Sequence, residues 1–198
     1  GNDAYGSAGA RGGGLVRLRV TGTTTVNGVI SATGIAGEGV SYYAGGSGGS
    51  VWLTTAGLSG NGAIRANGGN MPSSNAGGGG RIAVILTNSI DFGSVLIQAY
   101  SGKGSGTTGY GAPGTVYLES FADGAGKGML LIDASNMVST ATTLIGSNVT
   151  DTAVGTVIIT NKAVFRMDSN QCLTVNGGWT NAATFIAGTN STVTFAGD

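Results

Sequence analysis

The chain has 198 residues, enough for one or two domains with a substantial core. Forty glycines and a hydrophobic fraction of 40% accompany only 9% charged residues, far below the roughly 25% of an ordinary soluble domain. Nine basic and nine acidic residues cancel, so charge gives no reason to expect nucleic acid or an anionic membrane as a partner. Histidine is absent, which excludes His-based acid–base catalysis, Ser-His-Asp triads and His-containing metal sites.

Residues 1–14 are a lead-in of glycine and other small residues without a periodic apolar face. Such a segment buries too little surface to order itself, so we expect either a loose end or a piece that docks on a neighbouring chain. From Leu15 to Val20 apolar residues alternate with polar ones, which predicts a half-buried strand. Asn27-Gly28 then forms a predicted turn whose residues tolerate positive φ.

This strand recurs with a spacing near 34 residues. Equivalent residues of the first strand stand 35, 31 and 34 positions apart, and a second short strand recurs at offsets of 34 and 33. Periods of this length are typical of stacked repeats. Stacking like on like predicts three inward columns: Val16, Val51, Ile82 and Val116; Ile30, Ile64 and Ile97; and Ala32, Ala66 and Ala99.

Glycine-rich loops of 16, 13 and 13 residues join the copies, at 34–49, 68–80 and 102–114. Loops of this length in a compact domain are usually functional or packed against one another. We expect glycine at their corners, where a Cβ would clash. The predicted fold is all-β: a right-handed parallel β-helix or a related β-solenoid, with residues 15–120 forming the glycine-rich repeat region.

After Glu119 glycine becomes rarer and short strands follow closely. We predict seven of them, within 129–132, 143–145, 156–160, 163–167, 173–175, 184–186 and 192–195. Residues 121–198 are therefore predicted to continue the β-helix on the same core with shorter loops, and the alternative is a separate small β-sandwich. The single Cys172 precedes Leu173 and is predicted to be a buried small hydrophobe, with an intermolecular disulfide as the alternative.

A resemblance rests on the order GGSVWLT, LSGNGAIRANGG, GGGGRIAVIL and GAPGTVYLE, followed by LTVNGGWTNAATFIAGTNSTVTFAG. This order resembles glycine-rich modules of very large, adhesin-like bacterial surface proteins, over roughly residues 12–198. The resemblance implies an exported structural or adhesive role without established catalysis. It also implies a module embedded in a longer chain.

The outward side of the first-strand ladder holds aromatic and basic residues, and others flank the second strand. As contacts to a neighbouring subunit or a packed loop we predict Arg17, Trp52, Arg65, Tyr100 and Tyr117. The alternative for the same residues is stacking on surface glycans, because flat aromatic faces suit pyranose rings.

The acidic residues are scattered, and no pair has the spacing that glycosidic hydrolysis needs. We therefore predict no catalytic residue, no cofactor and no metal site. A polysaccharide-active β-helix enzyme remains the least favoured alternative, and Asp133, Asp151 and Asp168 are left as candidates for an isolated calcium site. No apolar run approaches the about 18 residues of a membrane span, so none is predicted.

Neither end of the sequence carries a recognisable amphipathic cap, and uncapped solenoid edges pair with other chains. The sequence thus predicts an extracellular structural protein of a cell-surface filament or layer. Its expected partners are copies of itself or adjacent modules of a longer chain, joined by end-to-end β-stacking or strand exchange. The alternative is a glycan-binding adhesin module or stalk.

Overall fold

The computed structural model describes residues 9–37, 44–106 and 109–197. Within these ranges the regular structure consists of sixteen β-strands and no helix, and all strand pairs but one are parallel. The predicted all-β class is confirmed. Most of the lead-in, residues 1–8, lies outside the described residues.

The strands of the two predicted regions differ in length and spacing. The first region contains β1 (Leu15–Thr25), β2 (Val29–Ser31), β3 (Ser50–Ser59), β4 (Ala63–Arg65), β5 (Arg81–Leu86), β6 (Leu96–Gln98) and β7 (Thr115–Glu119). The second contains β8 (Met129–Asp133), β9 (Thr143–Ile145), β10 (Ala153–Val154), β11 (Thr156–Thr160), β12 (Val164–Met167), β13 (Cys172–Val175), β14 (Trp179–Asn181), β15 (Thr184–Ile186) and β16 (Thr192–Phe195). All seven strands predicted after Glu119 are present, whereas β10 and β14 were not predicted.

The predicted columns are the actual register of the first region. One sheet of seven strands has the order β1-β3-β5-β7-β8-β11-β14, and a second has the order β2-β4-β6. The first contains the column Val16, Val51, Ile82 and Val116, and the second contains Ile30, Ile64 and Ile97. Ala32, Ala66 and Ala99 are 3%, 0% and 3% exposed, so the small column is buried as well.

The two sheets enclose a first core of aliphatic side chains. Alternate residues of β3 and β5 point into it, among them Leu53 and Val84, which have no exposed surface. Full burial of such a side chain contributes about 1.5–3 kcal/mol. The columns of β1, β3 and β5 therefore supply the stabilisation that no single copy can obtain alone.

The glycine-rich loops pack against one another in two antiparallel sets. We call the pieces that precede the long strands leading segments (9–14, 44–49, 75–80 and 109–114) and the pieces that follow the short strands trailing segments (32–37, 66–71 and 99–103). Each segment donates backbone hydrogen bonds to the next member of its own set. For example, the N–H groups of Gly34 and Gly37 donate to the carbonyls of Asn67 and Asn70, both at 2.9 Å.

Hydrogen bonds between the two sets have the same three-residue period. In the leading segment 44–49, Gly46 donates to Ile35 and Gly49 to Ala32 of the antiparallel trailing segment, at 2.9 and 2.7 Å. Their chain neighbours Gly45 and Gly48 instead donate to the next leading segment. A three-residue period is that of the polyproline-II conformation and not of a strand. The loops therefore form a hydrogen-bonded array, as the packing alternative for them predicted.

Glycine is required in this array because backbones approach closely. A Cβ at Gly77 would overlap the carbonyl oxygen of Gly46, and one at Gly69 would overlap that of Ile35. Neither residue has a positive φ, so their role is close approach and not the corner that the sequence predicted. The predicted Asn27-Gly28 turn is likewise a bend without positive φ.

The sheet changes its buried face between β7 and β8. These strands pair antiparallel, with Val116 opposite Leu131 and Tyr117 opposite Leu130. Directly opposed residues project on the same side of a sheet. Val116 and Leu131 pack into the first core, whereas Tyr117 and Leu130 pack against a second core that includes Phe165. The expected continuation of one core is thus wrong, because the structure has two cores on opposite faces of one sheet.

Beyond β7 the chain visits three sheets in rotation. The strands β8, β11 and β14 belong to the seven-stranded sheet, β9, β12 and β15 to a second sheet, and β10, β13 and β16 to a third. Stacked residues are closer in sequence than in the first region: Leu173 pairs with Val193, 20 positions later. The loops are therefore shorter, as predicted.

Cys172 corrects another expectation. Leu173 and Val175 fill the second core, so the alternation of β13 turns Cys172 outward. Its thiol is free and the residue is exposed, and the prediction of a buried cysteine is therefore wrong.

Candidate binding faces

Two of the predicted contact residues form one exposed pair. Arg17 and Trp52 are register partners on the face of β1 and β3 opposite the first core. The Arg17 guanidinium carbon lies 6.0 Å from the centre of the Trp52 ring, the outer limit of a cation–π contact. Trp52 is 45% exposed, and its indole N–H donates to Thr54 Oγ1 at 3.1 Å. The ring is thus held in place with much of its surface in solvent.

Tyr117 belongs to the same ladder but is not an open contact. Ala83 separates it from Trp52 in the register, and its ring packs against the second core. Its hydroxyl donates to Glu119 Oε2 at 2.6 Å and accepts from the Gly128 N–H at 2.9 Å. Burial, followed by the hydrogen bond to Glu119, raises the pKa of Tyr117 to about 12. The predicted outward role of Tyr117 is therefore replaced by one in anchoring the 120–128 loop.

Arg65 and Tyr100 lie on a different face, which we call the trailing face. It is the outer side of β2, β4 and β6 and of the trailing segments that follow them. Backbone register and hydrogen bonds arrange it in three rows: Ser31, Arg65 and Gln98; Thr33, Asn67 and Tyr100; Ala36, Asn70 and Lys103. The structure thus separates the five predicted contact residues into two groups and leaves Tyr117 in neither.

Two asparagines hold neighbouring trailing segments in register. Asn67 Oδ1 accepts the Tyr100 N–H and Asn70 Oδ1 accepts the Lys103 N–H, both at 2.8 Å. Because each amide oxygen is used in this way, each Nδ2 group is left as the donor that faces outward. Three residues of a polyproline-II segment span ~9 Å, so the two amides form a regular pair along the face.

A groove of about 400 Å³ runs over these residues and ends at the second region. Its lining includes Asn67, Asn70, Tyr100 and Lys103 on the trailing face, with Ser135 and Met137 as the end wall. That wall exists because the second region begins where the first core stops. The groove is therefore a product of the junction between the two regions.

The charge around this groove is mixed. Burial, then the nearby Asp133 carboxylate, raises the pKa of Tyr100, so its phenol stays protonated at neutral pH. Asp133 Oδ1 accepts from the Ser135 N–H at 2.6 Å and from Asn161 Nδ2 at 2.8 Å. In the described part of the chain, neither Arg65 nor Lys103 has an ion-pair partner.

Sequence analysis missed Gln98, Asn67, Asn70 and Lys103 as members of this face. The signal was present, because Asn67 and Asn70 stand 33 positions before Tyr100 and Lys103, at the offset of the second strand. The predicted register was followed only as far as Ala66 and Ala99. It continues into the loops because the array stacks in the same way as the strands do.

No metal centre is assembled by the described residues. They contain no group of three or more His, Cys, Asp or Glu side chains that would hold an ion. Of the three candidate aspartates, Asp133 bonds to Asn161 and Asp168 pairs with Arg166 at 3.2 Å. Among the same residues, no helix is long and apolar enough to cross a membrane.

Comparison of the chain with protein-family models, with curated proteins and with solved structures found no match. The geometry of the faces and ends therefore carries the functional argument.

Proposed function

We propose that the chain is a β-solenoid module of an extracellular structural assembly, built by stacking of its open ends against further solenoid units. The parallel β-helix is the architecture that best accounts for the rotation of β8 to β16 through three sheets and for the columns of the first region. Right-handed winding follows from the strong preference of parallel crossover connections.

The junction at β7 and β8 supports a single continuous solenoid. The strand direction reverses there and the core moves to the other face, while the sheet order still advances along the chain. A reversal of direction combined with a change of face amounts to a half-turn about the stacking axis. Such a rotation preserves the hand of winding, so both regions fit one right-handed path.

The observation that carries the proposal is the open last coil formed by β14, β15 and β16. These strands lie at the ends of their three sheets, and each pairs on one side only. Trp179 lies 5.0 Å from Phe185 and 5.9 Å from Phe195 between ring centres, so three aromatic rings meet at this end. Phe195 is 61% exposed. Residues 169–197 contain no charged side chain, although charge is the usual protection of an exposed strand edge.

The other end also has a long free edge. β1 has eleven residues and pairs with β3 alone among the described residues, and Leu15 and Val29 beside this edge are 74% and 59% exposed. Partners of the ends are copies of this chain or neighbouring modules of a longer chain. The cell surface is the proposed location because low charge and dense backbone pairing suit a durable extracellular material.

The experiment compares two phenylalanine substitutions at exposed sites. Sedimentation velocity and negative-stain electron microscopy over a concentration series should show end-to-end oligomers of the unmodified protein. Phe195→Lys should abolish them, because it adds a charge to the open coil. Phe121→Lys is the matched control, since Phe121 is 65% exposed in the 120–128 loop. Monomers at every concentration, or an equal loss in both variants, would overturn the proposal.

A second candidate, a glycan-binding adhesin module, is favoured by the exposed Arg17–Trp52 pair. Trp52→Ala would abolish glycan binding in that case and leave assembly unchanged. Loss of assembly without any glycan affinity would instead make this pair a subunit contact. Catalysis has no comparable support, because the described residues assemble no cluster of carboxylates.

A further inference from the structure

We infer that the groove on the trailing face is a binding site for an acidic oligosaccharide, a ligand that presents carboxylate or sulfate groups along a chain of sugar rings. This goes beyond the structural function proposed above and uses residues other than the open ends and the Arg17–Trp52 pair.

The groove offers mainly hydrogen-bond donors. The oxygens of Asn67 and Asn70 accept backbone N–H groups, so their Nδ2 groups are the parts that face a ligand. The ammonium of Lys103 adds donors without an acceptor. Such a lining matches a ligand rich in oxygen acceptors, as a sugar with anionic substituents is.

The net charge of the face selects an anion. Lys103 lines the groove, and Arg65 lies one register step away. The one carboxylate nearby, Asp133, is engaged by Ser135, Asn161 and the phenol of Tyr100, and these contacts direct its negative charge away from the groove. Two cations thus face one carboxylate that is already hydrogen-bonded.

The shape selects an extended ligand over a small ion. The donors lie in rows, ~9 Å apart along a polyproline-II segment, and the groove of about 400 Å³ is closed at one end by Ser135 and Met137. Tyr100 stands among them with part of its ring exposed, and an aromatic face is suited to the C–H face of a pyranose. A lone phosphate or sulfate would occupy only a fraction of this volume.

The test uses oligogalacturonate and its fully methyl-esterified form, which differ only in the charge of the carboxyl groups, together with sulfated and unsulfated dextran oligomers. Isothermal titration calorimetry at low salt should show binding of the charged member of at least one pair, with affinity reduced tenfold or more for its neutral partner. Binding should weaken as salt is added, because screening reduces the attraction. Equal affinity within both pairs, or no binding to any of them, would overturn the inference.

Charge-matched variants locate the site. Lys103→Met and Arg65→Met should each reduce affinity at least fivefold, whereas Lys127→Met, an exposed lysine of the 120–128 loop, should leave it unchanged. Trp52→Ala should also leave it unchanged, which separates this site from the second candidate above. Equal effects of Lys103→Met and Lys127→Met would contradict the assignment.

A measurement on the unmodified protein guards against misfolded variants. Hydrogen exchange followed by mass spectrometry should show added protection in 66–71 and 99–106 when the acidic oligosaccharide is present. Protection elsewhere only, or displacement of the oligosaccharide by single-stranded DNA of equal charge at equal concentration, would reject a glycan site in this groove.

Discussion

Val116 and Tyr117 are consecutive residues of β7, yet they pack into different cores. Val116 closes the first core and is 5% exposed, while Tyr117 packs against the second. On the neighbouring strand, Leu131 and Leu130 divide in the same way. These two strands therefore couple the regions, and each core has one wall in the sheet that they share.

The glycine array provides a steric prediction. Gly77→Ala should lower the free energy of unfolding by about 3 kcal/mol or more, because the new Cβ overlaps the Gly46 carbonyl oxygen and backbone must move. Urea denaturation measures the change. Gly14→Ala is the control in an equivalent leading segment, where no atom lies within 4 Å of the added Cβ. There we expect no loss, and a gain of up to about 1 kcal/mol from reduced freedom of the unfolded chain. Equal effects at both positions would show that close approach is not what requires glycine.

A buried hydroxyl gives a second prediction. Thr55 has no exposed surface although it stands in an inward column between Val20 and Leu86. Its Oγ1 lies 2.8 and 2.9 Å from the carbonyl oxygens of Gly22 and Gly57, where β1 and β3 slip in register. Thr55→Val should cost about 1–3 kcal/mol in thermal or urea unfolding, because buried carbonyls lose their donor.

The control for that change is Thr25→Val. Thr25 is exposed and shares only a surface hydrogen bond with Ser59, at 2.9 Å. Its replacement should alter stability by no more than about 0.5 kcal/mol. If Thr55→Val were equally silent, the hydroxyl would have no part in holding the register slip.

Tyr117 makes stability depend on alkaline pH. Its pKa is about 12 in the folded protein against an ordinary value of 10.0, so the folded state holds the phenolic proton more tightly than the unfolded chain. This contribution is complete below pH 10 and is lost as the pH rises towards 12. Tyr100, whose pKa is also raised, acts in the same direction.

The measurement is the free energy of unfolding of the unmodified protein and of Tyr117→Phe between pH 8 and 12. The substitution should flatten the decline above pH 10 and leave the smaller slope due to Tyr100. Parallel curves for the two proteins would contradict the assignment of this proton to Tyr117.

Cys172 should react in the folded protein. Because β13 directs it away from the second core, a maleimide should label it fully under native conditions at nearly the rate found in denaturant. Intact-mass spectrometry follows the reaction. Labelling that begins only after unfolding would place the thiol inside, as the sequence had suggested, and a dimer that a reductant dissociates would support the intermolecular disulfide.

The spacing of the repeats determined much of this protein by itself. A period near 34 residues, with aliphatic residues at matching places, leaves one register in which Val51 meets Val16 and Ile82, and stacked like residues share one core. The same offset would have assigned Asn67 to Tyr100 had it been followed into the loops. Glycine content showed that the loops pack closely, but the three-residue period of their hydrogen bonds depends on contacts between segments distant in sequence.

Tertiary structure alone decided which face of the shared sheet is buried and where. In β7 both Val116 and Tyr117 are large and largely apolar, and the run Met129–Ile132 is apolar on both sides. Alternation assigns a face only when one side of a strand is polar, so these two strands had no assigned interior. The direction of β8, the second core and the outward position of Cys172 all follow from a long-range antiparallel pairing, which the local pattern of side chains does not encode.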